Sequence, residues 1–323
     1  MSDRRLWWGG AFLLLLALVA IGAPWLGLRD PAAQPDGLVL RALPPLSRVD
    51  AVALADGTLR YAHELVTRPD GWVEYRRGES WSRIAPEELA GESRSEWHRR
   101  PIFFLGTDAL GRDLLSRVVY GSRVSLLVGL VAATMAMVAG SAIGMICGLA
   151  GGWIDASLMR LTDLALAVPR LFLALMLVAL YGASLTTTVL VLGGTTWMAA
   201  ARLTRGEILS ARERDYVHAA RAAGAPGLRL GLLHLMPVVL VPLLIEGTLR
   251  VGDTILLEAA LSFLGLGIPP PAPSWGNLIA DGRNSLADAW WIATLPGLAI
   301  ALTLIALNLL GDAARERLRG ARS

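Results

Sequence analysis

Four ionisable residues within one apolar stretch form the first candidate site. Glu246, Arg250, Asp253 and Glu258 lie inside the run Val238–Leu264. Because Glu246 and Arg250 are four residues apart and Arg250 and Asp253 three apart, these three share one face of a helix and can neutralise each other. A charge near the centre of a membrane helix costs at least about 2.5 kcal/mol, so it needs a partner or a polar surrounding.

Two interpretations of this cluster stay open. As a polar strip, it would line a solute pathway and meet charged groups of the solute; as a paired cluster, it would only pack its helix against a partner subunit. Glu258 has no evident partner on its own helix, which favours the pathway for that residue.

The sequence contains no recognisable catalytic pattern. A membrane-embedded enzyme needs a nucleophile, a metal site or a poised carboxylate pair, and the chain has no HExxH, no GxSxG and no Cys/His cluster. All 30 basic residues are Arg, so the Lys of an ATP-binding GxxxxGK[ST] loop is absent. With Cys147 as the single cysteine, no disulfide framework can form within the chain. We therefore predict no enzyme, no metal site and no cofactor.

Membrane helices are the elements that must position these charges. Hydrophobic residues make up 54% of the 323 residues and the mean hydropathy is +0.52, too apolar for a soluble domain. About 20 apolar residues are needed to cross a bilayer. The runs predict an all-α polytopic membrane protein with six transmembrane helices, at Leu6–Leu28, Leu126–Ala150, Leu161–Leu180, Thr186–Ala201, Val238–Leu264 and Trp290–Leu310.

The positions of the arginines predict the orientation. Arg4 and Arg5 place the N-terminus in the cytoplasm, because basic residues near helix ends stay on that side. Six crossings then place the C-terminus there too. The remaining basic residues expected in the cytoplasm are Arg160, Arg170, Arg202, Arg205, Arg212, Arg214, Arg221, Arg229, Arg315, Arg317, Arg319 and Arg322.

The long segment between the first two helices is expected outside the cytoplasm, since long loops escape the charge rule. Turn signals at Asp56-Gly57 and Arg77-Gly78, flanked by strand-like runs, predict a small β-rich insertion. We expect it to end in a helix on the outer membrane surface at Gly106–Arg117, capped by Asp108. The predicted organisation is residues 1–29 (N-terminus and helix 1), 30–117 (extracytoplasmic insertion), 118–312 (core with helices 2–6 and loop 202–237) and 313–323 (cytoplasmic tail).

Loop 202–237 holds the second candidate site. Asp215–Gly224 predicts a short Ala-rich helix that ends at Gly224, where a left-handed turn costs glycine least. Its small residues would let a soluble partner grip it in a groove. Pro237 marks where the chain enters the membrane again as a new helix.

This loop resembles the EAA loop of ABC-importer permeases, EAA-x3-G-x9-I-x-L-P. The counterpart here is His218-Ala219-Ala220, three residues, Gly224, nine residues, and His234-Leu235-Met236-Pro237. The spacing is intact, although His218 replaces Glu and His234 and Met236 replace Ile and Leu. Two further stretches, Leu105–Arg117 and Leu261–Pro269 running to Ser274-Trp275-Gly276, resemble the C-type subunit of dipeptide/oligopeptide permeases. The likeness covers about 101–317 and the first helix, while 30–100 is longer than expected for that family.

The resemblance implies a type I ABC-importer permease core in the bacterial cytoplasmic (inner) membrane, forming half of a pathway for di- and oligopeptides. It implies three kinds of partner: a homologous permease subunit, two cytoplasmic ABC ATPases and an extracytoplasmic solute-binding protein. It also implies which residues couple the pathway to the ATPases: Asp215, Tyr216, His218, Ala219, Ala220, Arg221, Gly224 and Pro237.

Other functions are weighed against this one. Within the same family, nickel or another small solute is the alternative cargo. From a different class, a membrane sensor would use the outer segment as its ligand domain and would not need ATPases. A secondary transporter is disfavoured because the two halves show no matching broken helices.

Overall fold

The computed structural model describes residues 2–320, and its backbone is mostly helical. Contacts divide the chain into two compact units. One, here called the helical unit, comprises Met1–Leu18, Arg123–Pro269 and Ile300–Ser323. The other, the mixed unit, comprises Val19–Ser122 and Pro270–Ala299. The last three residues of the predicted tail, 321–323, lie outside the described residues.

Twelve α-helices are present in the described residues. They are α1 Ser2–Gly22, α2 Arg94–Trp97, α3 Leu114–Ala150, α4 Gly152–Ala167, α5 Arg170–Tyr181, α6 Leu185–Gly194, α7 Met198–Ala211, α8 Asp215–Ala222, α9 Gly227–Arg229, α10 Met236–Phe263, α11 Trp275–Gly282 and α12 Trp291–Gly320. A π-helical turn, Leu230–Leu235, leads into α10. Short 3-10 turns lie at Ala23–Trp25, Pro86–Glu88 and Arg283–Ser285.

Four helical segments are long and apolar enough to cross a membrane, and a bent pair of helices can supply a fifth crossing. The four are Leu6–Trp25, Leu114–Ala150, Leu230–Phe263 and Trp291–Arg317. They contain most of the first, second, fifth and sixth predicted spans. The second begins at Leu114 rather than Leu126, and α12 continues to Gly320, so the predicted tail is helical as far as the structure describes it.

The third predicted span, Leu161–Leu180, is not one continuous helix, because it is interrupted at Pro169. It is divided between α4 and α5, which meet at an angle of 85°. Pro169 has no N–H to donate and disfavours helical backbone in the residue before it, and Val168 is extended at φ −84°, ψ 126°.

The fourth predicted span, Thr186–Ala201, is also divided, between α6 and α7. Thr195 and Thr196 lie at this break, and their hydroxyls donate to the carbonyl oxygens of Val191 and Leu192 at 2.7 Å. Hydroxyls that bond to the preceding turn compete with the helix for those acceptors. Six continuous transmembrane helices are therefore not found among residues 2–320.

Three glycines in α3 set the closest helix contact of the helical unit. Gly140, Gly144 and Gly148 recur every four residues and face α7; a Cβ at Gly144 would lie 2.4 Å from the carbonyl oxygen of Ala201. Small residues at this spacing allow two backbones to approach closely inside a membrane. The pattern thus joins α3 to the helix that leads into α8.

Eight short strands form the sheets of the mixed unit. Their bounds are β1 Ser47–Arg48, β2 Asp50–Ala53, β3 Leu59–Ala62, β4 Glu64–Thr67, β5 Val73–Arg77, β6 Ser80–Ile84, β7 His98–Arg99 and β8 Ile102–Phe103. The sheet orders are β3-β2-β7, β4-β5-β6 and β1-β8, all antiparallel. The turns at Asp56-Gly57 and Arg77-Gly78 connect β2 to β3 and β5 to β6. Buried side chains of the strands and of the segments that connect them form a core. Its members are Val52, Ala62, Val73, Tyr75, Ile84, Leu89 and Trp97.

The predicted surface helix at Gly106–Arg117 is wrong. Residues 106–113 form turns, and Asp108 accepts hydrogen bonds from the backbone of Leu110 and Arg112. Asp108 also binds the guanidinium of Arg112 at 2.6 Å, and both Arg112 and Arg117 reach Asp281. The charged side that was expected to face water is buried in this network, because Asp281 is a partner distant in sequence.

Two tryptophans link distant stretches of the mixed unit. Trp275 donates its indole N–H to the carbonyl oxygen of Val118 at 3.0 Å, and Trp291 donates to that of Thr107 at 3.2 Å. Stretches more than 150 residues apart in sequence are therefore parts of one packed structure.

Replacing Gly144 with alanine is expected to lower the free energy of unfolding by about 1–3 kcal/mol, because the added methyl group overpacks the α3–α7 contact. Gly206→Ala in α7 is the matched control, since nothing lies within 4 Å of its Cβ position. There the change should be neutral or stabilising by up to about 1 kcal/mol. Thermal unfolding in detergent measures both, and equal effects would contradict the close packing.

The mixed unit should lose stability in acid through Asp50. Burial alone would raise the pKa of this carboxyl, but hydrogen bonds from Arg100 at 2.6 Å and His98 at 2.7 Å outweigh it and hold the pKa below its usual value. The folded state thus gains stability above the unfolded pKa of about 3.9 and loses it as the pH falls through the lower folded value.

The test compares Asp50→Asn with wild type by thermal unfolding at pH 7 and pH 3. The variant should melt several degrees lower at pH 7, and the difference should shrink at pH 3. Asp288→Asn, at an exposed position, is the control and should match wild type at both pH values. A difference that stays constant with pH would contradict the role of the carboxylate.

Candidate functional site

Helix α8 is held to the helical unit by one face. Val217 is fully buried in a core that includes Ile208 of α7 and Val239 and Leu243 of α10, and Ala220 packs against the same core. The helix predicted for Asp215–Gly224 is confirmed, with α8 ending at Ala222. Its position therefore depends directly on α7 and α10.

The opposite face of α8 is open. Of the predicted coupling residues, Ala220 is half-buried, while Asp215, Tyr216, His218, Ala219, Arg221, Gly224 and Pro237 are exposed. Gly224 has φ +83°, as expected for a left-handed helix end. The N–H of Gly224 donates to Arg221 and that of Ala225 to Ala220, closing the helix with a defined geometry.

Pro237 does not begin a new helix. The chain is already helical from Gly227, and the π turn Leu230–Leu235 precedes Pro237 in the first turn of α10. In this turn the N–H of Met236 donates to the carbonyl oxygen of Gly231, five residues back. A proline inside an α-helix loses a hydrogen bond and clashes with the carbonyl four residues back, and the π turn accommodates both effects.

Two of the basic residues used for orientation form ion pairs between α7 and α4. Arg205 binds both oxygens of Asp155, at 2.5 and 2.6 Å, and Arg202 pairs with Asp163. Bidentate pairs of this kind are among the stronger and more directional ionic contacts in proteins. They connect the middle of α7 to α4.

The charged strip on α10 has the predicted internal pairing. Arg250, whose side chain is 6% exposed, contacts Glu246 at 2.5 Å and Asp253 at 3.4 Å. The two carboxylates differ in surroundings, because the Glu246 side chain is 24% exposed and that of Asp253 is 64% exposed. Arg250 therefore interacts mainly with Glu246, and the carboxylate of Asp253 can still accept hydrogen bonds from other groups.

Glu258 differs from its prediction. Ser262, four residues along the same helix, donates a hydrogen bond to its carboxylate at 2.8 Å, so the expectation of no partner on its own helix is wrong. The partner is a neutral serine at helical spacing rather than a residue of opposite charge. Glu258 is completely buried within the chain, unlike Asp253.

Arg170, which was expected on the cytoplasmic side, lies on a groove of about 370 Å³ that is also lined by Thr196, Asp253 and Leu256. Asp253 lies about 25 Å along α10 from Met236 and about 15 Å before Phe263, at 1.5 Å per residue. The break at Pro169 makes Arg170 the first residue of α5, from which it reaches this groove.

No group of three or more His, Cys, Asp or Glu residues is arranged to hold a metal ion within residues 2–320. Cys147 is buried in α3.

The chain has several apolar helices long enough to cross a membrane, a charged strip on α10 and the exposed helix α8. These are features of a membrane component of a transport system. Residues 140–321, more than half of the chain, match the family model described as the binding-protein-dependent transport system inner membrane component. The chain belongs to this family, and it is a transport permease of the inner membrane rather than an enzyme.

Several relatives are similar to this chain over about two thirds of its length or more. The di/tripeptide transport system permease protein of Pseudomonas aeruginosa (strain UCBPP-PA14) is 36% identical over 310 residues, 96% of this chain and 86% of the relative. The dipeptide transport system permease protein of Escherichia coli (strain K12) is 44% identical over 214 residues, 66% of this chain and 71% of the relative. The probable D,D-dipeptide transport system permease protein of the same organism is 41% identical over 215 residues, 67% and 72% of the two chains.

Replacing Arg250 with methionine should cost about 3–5 kcal/mol, because it leaves the Glu246 charge without its partner in an apolar surrounding. The double variant Glu246→Gln/Arg250→Met should recover much of that loss, since no unpaired charge remains. Asp253→Asn should change stability by less than about 1 kcal/mol, as its contact is long and exposed.

The measurement is thermal unfolding of wild type, Glu246→Gln, Arg250→Met and the double variant in the same detergent, analysed as a double-mutant cycle, with Asp253→Asn measured alongside. If the double variant is as unstable as Arg250→Met with Glu246 intact, the pair does not stabilise the helix in the way the geometry indicates.

Proposed function

We propose that this permease carries di- and oligopeptides and forms half of the transmembrane pathway of an ATP-driven importer. The observation that carries the proposal is α8, an exposed helix with the spacing of the EAA loop and a buried anchor to α7 and α10. The names of the relatives, which are permeases for dipeptides and tripeptides, support the cargo. Nickel remains the alternative cargo within the family.

The partners follow from the same argument. We propose a homologous permease subunit, two cytoplasmic ABC ATPases and an extracytoplasmic solute-binding protein, the last in keeping with the family description. Both termini would lie in the cytoplasm, as the arginine distribution indicates.

The residues proposed to contact the ATPases are those of the exposed face of α8 and its ends. Asp215, Tyr216, His218, Ala219 and Arg221 offer a thin surface for a groove in the ATPase, while Val217 and Ala220 connect that surface to the core. Gly224 fixes where the helix ends. A displacement of α8 would thus move α7 and α10 together, converting ATPase closure into a change of access.

The pathway is proposed to pass the strip on α10. Glu246, Arg250 and Asp253 lie on one face, and Asp253 is the most exposed of the three. The complete burial of Glu258 favours a packing role for that residue in this conformation.

For the segment 30–100 we propose contact with the solute-binding protein or the partner permease. Its short antiparallel strands form small sheets, which are suited to protein contact rather than to crossing a membrane. Deleting it should therefore reduce import. We keep residues 118–312 as the permease core of the proposal.

Ala219→Glu tests the coupling proposal. Ala219 is exposed on α8, so a charged side chain there should leave folding intact while obstructing ATPase docking. Solute-stimulated ATP hydrolysis and peptide uptake should fall at least about tenfold, the size of effect that one disrupted interface anchor produces. The assay uses the co-purified complex in lipid vesicles.

The matched control is Ala183→Glu, an exposed alanine between α5 and α6 that lies outside loop 202–237. It should transport as wild type does. Normal uptake by Ala219→Glu would remove α8 as the coupling site. If no ATPase co-purifies with wild type either, the membrane sensor becomes the better reading.

A further inference from the structure

The groove beside α10 contains one charged group of each sign. Arg170 and Asp253 line it together with Thr196, Leu256, Leu257 and Ala260. A charged group enclosed among apolar side chains is costly unless it is paired. The groove thus presents charged groups of opposite sign beside apolar side chains.

Contacts within the described residues satisfy only part of the hydrogen-bonding capacity of these two charged groups. The guanidinium of Arg170 forms no ion pair or hydrogen bond with another side chain in the part of the chain that the structure describes, although it offers five N–H donors. Asp253 makes one long contact, 3.4 Å to Arg250, which is held more tightly by Glu246 at 2.5 Å. A carboxylate has about four acceptor positions, so most of those of Asp253 are available.

Two interruptions of helical structure converge on this groove. Arg170 follows the break at Val168 and Pro169, and Thr196 lies in the break between α6 and α7. Non-helical backbone at membrane depth is tolerated where it is buried in protein or lines a water-filled cavity. Broken helices of this kind also form the solute sites of other transporters.

From these observations we propose that the groove is a passage site for zwitterionic solutes, in which Arg170 binds a carboxylate and Asp253 binds an ammonium group. This inference rests on the proposed function and adds to it the substrate chemistry and the residue Arg170. A planar guanidinium can bind a carboxylate through two parallel hydrogen bonds, and Asp253 can accept from an ammonium group. A cation alone would leave Arg170 unmatched, so the site favours peptides over a metal ion.

The size of the groove is consistent with a small solute. At about 370 Å³ it lies near the lower end of the range for ligand sites, about 300–1,000 Å³. An extended peptide spans about 3.3–3.6 Å per residue, so the two termini of a dipeptide are about 7 Å apart. Side chains would face the apolar walls of Leu256, Leu257 and Ala260, which carry no group that selects among them.

The experiment pairs changes in the protein with changes in the peptide. Uptake of dialanine, its C-terminal amide and its N-acetyl form is measured in vesicles containing the complete complex with the solute-binding protein. For each protein, the rate for dialanine is divided by the rate for each blocked form. Because the same binding protein serves every variant, its own preference cancels when ratios are compared.

Arg170→Gln should reduce the preference for free carboxylate over amide about tenfold or more and leave the preference for free amine unchanged. Asp253→Asn should do the opposite. Arg160→Gln, at an exposed position in α4 outside the groove, is the control and should alter neither ratio. A purely structural role would slow all three peptides equally and leave both ratios as in wild type.

Two failures are distinguishable. If the variants import peptide and both ratios stay as in wild type, the groove is not the site, while the proposed peptide permease stands. If the wild-type complex shows neither uptake nor peptide-stimulated ATP hydrolysis, the proposed function itself fails. If Arg170→Gln does not assemble, Arg170→Lys replaces it, because lysine keeps the charge without the two parallel hydrogen bonds. This variant should lower only the preference for free carboxylate over amide, and by less than Arg170→Gln.

Discussion

Backbone hydrogen bonding in an apolar surrounding is the constraint on which the rest of this structure depends. Every N–H and carbonyl at membrane depth needs a partner inside the protein, so helices are the default and each interruption must be compensated. The interruption at Pro169 and the one at Thr195 and Thr196 are therefore informative. At the second, threonine hydroxyls bond to the preceding turn, and both lead to the wall of one groove.

The same constraint explains how the charges are arranged. Arg250 is satisfied by neighbours one turn away on its own helix, which needs no tertiary structure and is why spacing alone predicted it. Glu258 is likewise served locally, by Ser262. Arg170 is different because its surroundings depend on how two broken helices pack, and no local pattern carries that information.

Sequence patterns predicted helix ends and turns correctly where the residues that determine them are close together in the sequence. The left-handed turn at Gly224, two residues past the end of α8, and the turns at Asp56-Gly57 and Arg77-Gly78 depend on a few adjacent residues, and the structure has them at those positions. The surface helix at Gly106–Arg117 was wrong because Asp281, more than 160 residues later, neutralises its arginines. The apolar runs Leu161–Leu180 and Thr186–Ala201 are each divided between two helices. Pro169 marks the first break in the sequence, whereas hydropathy alone does not register the second.

The glycines of α3 have a mechanical consequence. Where side chains form a helix contact, a small displacement can be absorbed by a change of rotamer on either side. Gly140 against Ala200, and Gly144 against the backbone of Ala201, offer no side-chain torsion that could take up such a shift. Side-chain rotation therefore cannot absorb a displacement of α7 toward α3 at these two glycines, and the backbone of α3 has to move with it.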